Sequence, residues 1–319
     1  MVTLEDIQEA QKDIAPFIRS TPLIHSQFLT TFCECPLYLK LENLQITNSF
    51  KPRGVFNKLL HLDKEEEEMG IITASAGNHG QAVAYAAKKL NYYARVVVPK
   101  TTPKVKIEGI KKYGADLVLF GKSYDEAEKK AKKLARKDGC AYISPYNDEH
   151  IIAGHGTIGL EILEALPDVD AIMVPLGGGG LLSGISIAVK SKKPNVQVVG
   201  VQSKSSPVMY NSLKAGRIVS VKKAGKSVAE GLSGNVGPIT FEIVKKYVDL
   251  VLLVKEKTLR TSIYLLWAHD KLVVEGSGAA AIAPVIENKP LFKNKRVVSV
   301  LTGGNIDSDL FRSILASES

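Results

Sequence analysis

The stretch GIITASAGNHGQAVAYAAKKLNYYARVVVP (Gly70 to Pro99) runs from an apolar segment through a glycine turn into an amphipathic helix and then a second apolar segment. It reads as a strand over GIITASA, a helix from about His79 to Leu90 and a strand over Ala94 to Pro99, which is one βαβ unit. Strands that are apolar throughout need cover on both faces, and crossover helices supply it. Working outward, the alternation continues with a helix over Lys104 to Tyr113, a strand over Ala115 to Phe120 and a helix over Tyr124 to Lys137. A second series follows in AIMVPL (Ala171 to Leu176), VQVVGV (Val196 to Val201), VDLVLLV (Val248 to Val254) and RVVSVL (Arg296 to Leu301). The pattern predicts an α/β fold with two open, mainly parallel twisted sheets flanked by helices.

At 319 residues the chain has the length of two domains. The expected division gives a large domain over residues 1–60 and 147–319 and a small one over 61–146. The segment through LYLKLEN (Leu37 to Asn43) is assigned to the larger sheet, and ISPYNDEHIIAGHGT (Ile143 to Thr157), whose Pro, Asn and Asp break the alternation, is the expected hinge before a helix near His150. The four acids Glu65 to Glu68 read as the solvated face of a connecting helix.

Composition excludes several functional classes. Apolar residues make up 45%, and no apolar run reaches the length of about 18 residues that a membrane span needs, since Ala171 to Gly184 is short and broken by glycine. The N-terminal MVTLEDIQEAQKDI lacks the apolar core of a secretory signal, so a soluble, cytoplasmic protein is expected. Cys33 and Cys35 are separated by one residue, a spacing of neither zinc knuckles nor thioredoxin-like pairs, and with Cys140 they read as unpaired thiols. The net charge of +9 comes from lysines spread over helices, as in EKKAKKLARKDG around the stripe Ala127, Ala131, Leu134 and Ala135. Without interleaved aromatics this is a solvated face and predicts no nucleic-acid partner, although a basic field attracts anionic small molecules.

The chemistry-bearing residues are Lys51 in NSFKPRG (Asn48 to Gly54) and the turns SAGNHG (Ser75 to Gly80), GGGG (Gly177 to Gly180) and LTGGN (Leu301 to Asn305). Glycine turns at the carboxyl ends of strands are where open α/β sheets bind ligands. The tetraglycine opens the helix LLSGISIAV, so its N–H groups would face a phosphate. It lacks the GxGxxG pattern of dinucleotide binders and the Gly-Lys-Ser/Thr ending of a nucleotide loop. In SAGNHG, Ser75 and Asn78 can hydrogen-bond a ring oxygen or a carboxylate, Gly77 admits close approach, and His79 at the helix start contributes through its backbone more than its ring. His150 and His155 have no third ligand at a metal-binding spacing, so no metal site is expected. A phenylalanine-flanked lysine followed by three glycine-rich turns points to pyridoxal phosphate.

These motifs, together with STPL (Ser20 to Leu23), LKLEN (Leu39 to Asn43), AGHGTIGLEIL (Ala153 to Leu163), AEGL (Ala229 to Leu232) and VEGSGAA (Val274 to Ala280), resemble the fold type II, tryptophan-synthase-β-like pyridoxal-phosphate enzymes. The resemblance is closest to the threonine/serine dehydratases and their serine racemase relatives. It implies a cofactor held between a large and a small domain, with Lys51 as the Schiff-base lysine and the base for the Cα proton. It also implies Phe50 packed on the cofactor ring, Asn78 on its 3-hydroxyl, Gly177, Gly178, Gly179 and Gly180 around its phosphate, and Thr302 facing the pyridine nitrogen. The substrate carboxylate is then expected at Ser75, with Asn78 and His79. The implied reaction is β-elimination of L-threonine to 2-oxobutanoate and ammonia, and of L-serine to pyruvate and ammonia, in a homodimer or homotetramer.

Three positions depart from the family. Ala76 stands where racemases carry a second serine, Gln202 stands where the family's divalent-cation site has an acid, and His155 replaces a common glutamine. The end at Ser319 implies a short, catabolic-like form. The rival expectations are a serine racemase, a dehydratase of another hydroxyamino acid, a threonine synthase relative, and a catalytically silent binding module.

Overall fold

The computed structural model describes residues 1–220 and 225–318. Its strands are β1 (Leu23–His25), β2 (Leu37–Lys40), β3 (Ile71–Ala74), β4 (Ala94–Val98), β5 (Asp116–Leu119), β6 (Ala141–Tyr142), β7 (Ala171–Pro175), β8 (Gln197–Ser203), β9 (Leu250–Val254) and β10 (Val297–Val300). Six form a sheet in the order β1-β2-β10-β7-β8-β9 and four a second sheet in the order β5-β4-β3-β6. All pairings are parallel except β1 with β2. The fold is therefore the expected mixed α/β architecture of two mainly parallel sheets flanked by helices, with β2 joined to the larger sheet through β10.

Burial explains the apolar runs. β3, β7 and β10 are buried at every residue. Along β7, Ala171 and Met173 pack into one core while Ile172 and Val174 pack into another, and in β3 Ile71 and Ile72 likewise face opposite cores. β5 is only partly buried because it is an edge, so its ordered pairing stops short of the apolar run Ala115 to Phe120. Two strands, β1 and β6, escape the sequence reading, since three and two residues are too few to carry a period.

The lysine-rich helix Tyr124–Asp138 buries Ala127, Ala131 and Ala135 and exposes its charges, as the stripe predicts. All three cysteines are free and buried. Among the described residues no helix is long and apolar enough to cross a membrane, and no group of three His, Cys, Asp or Glu side chains could hold a metal.

Each sheet has one point where the chain reverses its direction of travel. In the larger sheet the chain leaves β7 toward β8 and β9, then returns to β10 on the other side of β7. In the smaller it leaves β3 toward β4 and β5, then returns to β6 on the other side of β3. Such switch points open crevices beyond the strand carboxyl ends. The tetraglycine follows β7, the LTGGN turn follows β10, SAGNHG follows β3, and residues 143–148 follow β6. The helix Glu149–Ala165 then packs against both the helix Lys51–Leu59 and the helix Gly180–Lys192. That approach is close enough that a Cβ at Gly154 would strike the backbone carbonyl of Arg53.

Candidate active site

Lys51 opens the helix Lys51–Leu59, with Pro52 in its first turn, where a missing N–H costs nothing. The segment before it is laced to the turn after β10: the Phe50 N–H donates to the Thr302 carbonyl at 3.1 Å and the Gly304 N–H to Asn48 at 2.9 Å, with a bridge between Ser49 and Gly303. Thr47 and Asn48 enter this turn with φ of 62° and 57°, a left-handed conformation costly for residues with a Cβ and common at functional sites. The Lys51 ammonium donates to the Pro145 carbonyl at 2.8 Å and lies 4.9 Å from the centre of the Phe50 ring. Burial lowers its pKa to about 8, opposed by the nearby Glu275 carboxylate. Phe50 also packs against His155 in a T-shaped contact, ring centres 4.6 Å apart. His155 is buried with neither ring nitrogen partnered, and burial, then the charge of Lys51, holds its pKa well below the ordinary value.

The helix Asn78–Leu90 begins within SAGNHG, with Gly77 as a cap that has no side chain to satisfy the first N–H groups. Ser75 Oγ accepts from the Gly77 N–H at 3.2 Å. Asn78 donates through Nδ2 to Glu275 Oε1 at 2.7 Å and accepts at Oδ1 from Asn305 Nδ2 at 2.8 Å. His79 is buried, and its Nε2 lies 3.2 Å from the Ile143 carbonyl. Burial, then Lys51, pushes its pKa down to about 3, so the imidazole is neutral and Nε2 carries the proton donated to Ile143. The ring is thus bonded to the backbone beyond β6, which leaves the helix N-terminus as the part of His79 available to an anion.

The tetraglycine loop is walled in. Gly179 has a φ of 96° and caps the helix Gly180–Lys192. A Cβ at Gly178 would overlap the Tyr146 ring, and one at Gly177 would lie 2.5 Å from the Gly231 carbonyl. Thr240 Oγ1 donates to the Gly178 carbonyl at 2.7 Å, which ties the loop to the helix Pro238–Tyr247. What remains is a strand end whose N–H groups sit at a helix N-terminus, a cradle for a phosphate. Thr302, buried at the end of β10, stands between this cradle and the lysine turn in the larger sheet.

The structure thus gathers the lysine turn, SAGNHG, the tetraglycine and Thr302 around the facing switch points. It adds residues that sequence reasoning left without a role: Pro145 and Tyr146 in the expected hinge, Asn305, and Glu275. Glu275 lies in the VEGSGAA motif, where an acid amid small and apolar residues was the available signal; burial raises its pKa to about 7. A lysine of lowered pKa, an aromatic ring beside it and a glycine cradle that tolerates no side chain fit an aromatic aldehyde carrying a phosphate.

Residues 14–303 match the family model described as "Pyridoxal-phosphate dependent enzyme". The chain belongs to the pyridoxal-phosphate-dependent enzyme family. Within that family it is 45% identical over 317 residues to an L-threonine ammonia-lyase of Thermotoga maritima, covering 99% of this chain and 78% of the relative. It is 41% identical over 312 residues to a catabolic L-threonine dehydratase of Staphylococcus aureus, covering 96% and 90%. Maize serine racemase superposes with a TM-score of 0.94 at 32% identity, covering 99% of this chain and 98% of that one. The pyridoxal-phosphate dependence expected from the lysine and glycine turns is a property of this family.

Proposed function

We propose that this protein is a pyridoxal-phosphate-dependent ammonia-lyase that converts L-threonine to 2-oxobutanoate and ammonia, and L-serine to pyruvate and ammonia. The observation that carries the reading is Lys51, an amine with a pKa of about 8 that donates to the Pro145 carbonyl, next in sequence to the Tyr146 whose ring packs against Gly178. An amine so poised is available in its neutral form near physiological pH, as a base for a Cα proton requires. When bound, pyridoxal phosphate supplies the electron sink for negative charge at that carbon.

The remaining roles fall to this chain's own groups. Gly177 to Gly180 hold the phosphate with backbone N–H groups, and Phe50 flanks the ring. Asn78 donates to the ring oxygen. The N-terminus of the helix Asn78–Leu90, with Ser75 and the backbone of Asn78 and His79, receives the substrate carboxylate, where the helix dipole favours an anion. Thr302 presents a neutral hydroxyl to the ring nitrogen. That hydroxyl would hold the ring nitrogen without the charge a carboxylate would bring, a setting suited to loss of a β-leaving group.

The names of the two curated relatives support L-threonine as substrate. Serine racemisation is the second reading because of the maize enzyme, and it is disfavoured by Ala76, which has no hydroxyl to deliver a proton to the opposite face. We further assign residues 1–60 and 147–319 to a large domain and 61–146 to a small one, and propose a cytoplasmic homodimer or homotetramer. The test is turnover of L-threonine by the cofactor-loaded protein, read as 2-oxo acid, alongside chiral analysis of L-serine incubations. Oxo acid without D-serine is expected; D-serine as the main product would transfer the assignment to the racemases.

A further inference from the structure

Glu275 sits at the end of a directed chain of amides whose other end is the backbone carbonyl of Thr47, in the turn that leads into Lys51. The Thr47 carbonyl can only accept, and it receives Asn305 Nδ2 at 2.8 Å. The amino group of Asn305 therefore faces that way, and its other N–H reaches Asn78 Oδ1 at 2.8 Å while its own carbonyl accepts from Asn48 Nδ2 at 3.3 Å. With its oxygen committed to Asn305, Asn78 must turn its amino group outward, and one of those hydrogens goes to Glu275 Oε1 at 2.7 Å. The Thr47 carbonyl at one end can only accept, which sets the direction of every link up to the Asn78 amino group, and the ionised Glu275 carboxylate receives it.

The carboxyl is itself held firmly. The Glu275 N–H donates to the Gly303 carbonyl at 3.0 Å, and a Cβ at Gly303 would lie 2.6 Å from Glu275 Oε1. The glycine after Thr302 is thus the space in which the carboxyl fits. The charged groups facing Glu275 are Lys51 from the lysine helix, and Lys106 and Glu230, which pair with each other at 2.6 Å. The network therefore joins the turns after β3, after β10 and before Lys51, and ends on one carboxylate; the tetraglycine turn after β7 lies outside it.

We infer that Glu275 is a positioning residue for the cofactor: it fixes the amide of Asn78 so that the remaining N–H is offered to the crevice as a donor for an anionic ring oxygen. This rests on the assignment of the site to pyridoxal phosphate. The carboxylate also places a negative charge beside Lys51, so its titration is transmitted to the cofactor through Asn78 and through the lysine. Nothing in this arrangement asks Glu275 to touch the substrate.

The test is equilibrium dialysis of pyridoxal phosphate against the apoprotein, with melting temperature as a check of folding. Glu275→Ala is expected to weaken binding about tenfold, the effect of losing one charge-assisted hydrogen bond. Asn78→Ala should do the same, and the double variant should be no weaker than Asn78→Ala by more than about twofold, since both changes break one path. Glu275→Gln keeps an acceptor and should bind within about threefold of wild type, but lose the change of affinity centred near pH 7 at which the carboxyl ionises. A double variant weakened by the product of the single effects, or a Glu275→Gln protein that keeps the inflection, would overturn the inference. If Glu275→Ala fails to fold, the pH profile of Glu275→Gln decides alone. A wild-type protein that binds no pyridoxal phosphate would instead overturn the assignment of the site.

Discussion

Arg53→Met would remove the centre of the buried charge cluster that anchors the lysine helix two residues beyond Lys51. Arg53 is fully buried, and all five of its N–H groups have acceptors. Nε and Nη2 grip Glu42 at 2.8 and 2.9 Å, Nη1 and Nη2 grip Glu161 at 2.6 and 2.9 Å, and Nη1 also reaches Thr157 at 3.2 Å. Lys40 pairs with Glu161 as well, so two cations balance two carboxylates. Methionine fills the space but leaves two buried carboxylates with one cation, and breaking a buried pair in this way costs about 3–5 kcal/mol.

The pH dependence has a defined sign. Burial pushes the Glu161 carboxyl up, but Arg53 and Lys40 together outweigh it and hold its pKa below the ordinary value. Its stabilising contribution is therefore present above its unfolded pKa and lost as pH falls through the folded value. The stability gap between wild type and Arg53→Met, measured by urea unfolding of the apoprotein, should be widest near neutrality and shrink in acid as Glu161 takes up a proton. A loss under about 1 kcal/mol at neutral pH, or a gap that widens on acidification, would refute this account of the cluster.

Three further outcomes follow from the site geometry. Gly178→Ala forces a methyl into the Tyr146 ring, so cofactor affinity measured by dialysis should fall at least about tenfold. The rate at which apoprotein captures pyridoxal phosphate should rise about tenfold between pH 7 and 9 and then level off, because an amine with a pKa of about 8 is then mostly neutral; a continued rise of about a hundredfold without a plateau would mean an ordinary lysine. Ala76→Ser should raise the ratio of D-serine to pyruvate formed from L-serine, and an unchanged ratio would show that this position does not govern the outcome.

The parts of the candidate site that lie within single motifs could be picked out from the sequence, because each is a short local pattern that opens a helix. Lys51, the tetraglycine and SAGNHG belong to this group. The α/β fold was legible for the same reason: β3, β7 and β10 are apolar at nearly every position because both faces are buried. What escaped depends on partners distant along the chain. Glu275 becomes informative only when Asn78, 197 residues away in sequence, donates to it. Tyr146 reads as part of a polar break until it closes over Gly178, and Arg53, quoted only within NSFKPRG, gains a role when Glu42 and Glu161 enclose it. His155 was visible as an unusual residue, and the structure places it behind Phe50 without giving its two ring nitrogens a partner.

The most direct test of the central claim is to load the protein with pyridoxal phosphate, reduce it with borohydride and map the modified peptide by mass spectrometry. A single pyridoxyl adduct on Lys51 is expected, absent from Lys51→Ala, which should also form no 2-oxobutanoate from L-threonine. An adduct on another lysine, or threonine turnover undiminished in Lys51→Ala, would contradict it.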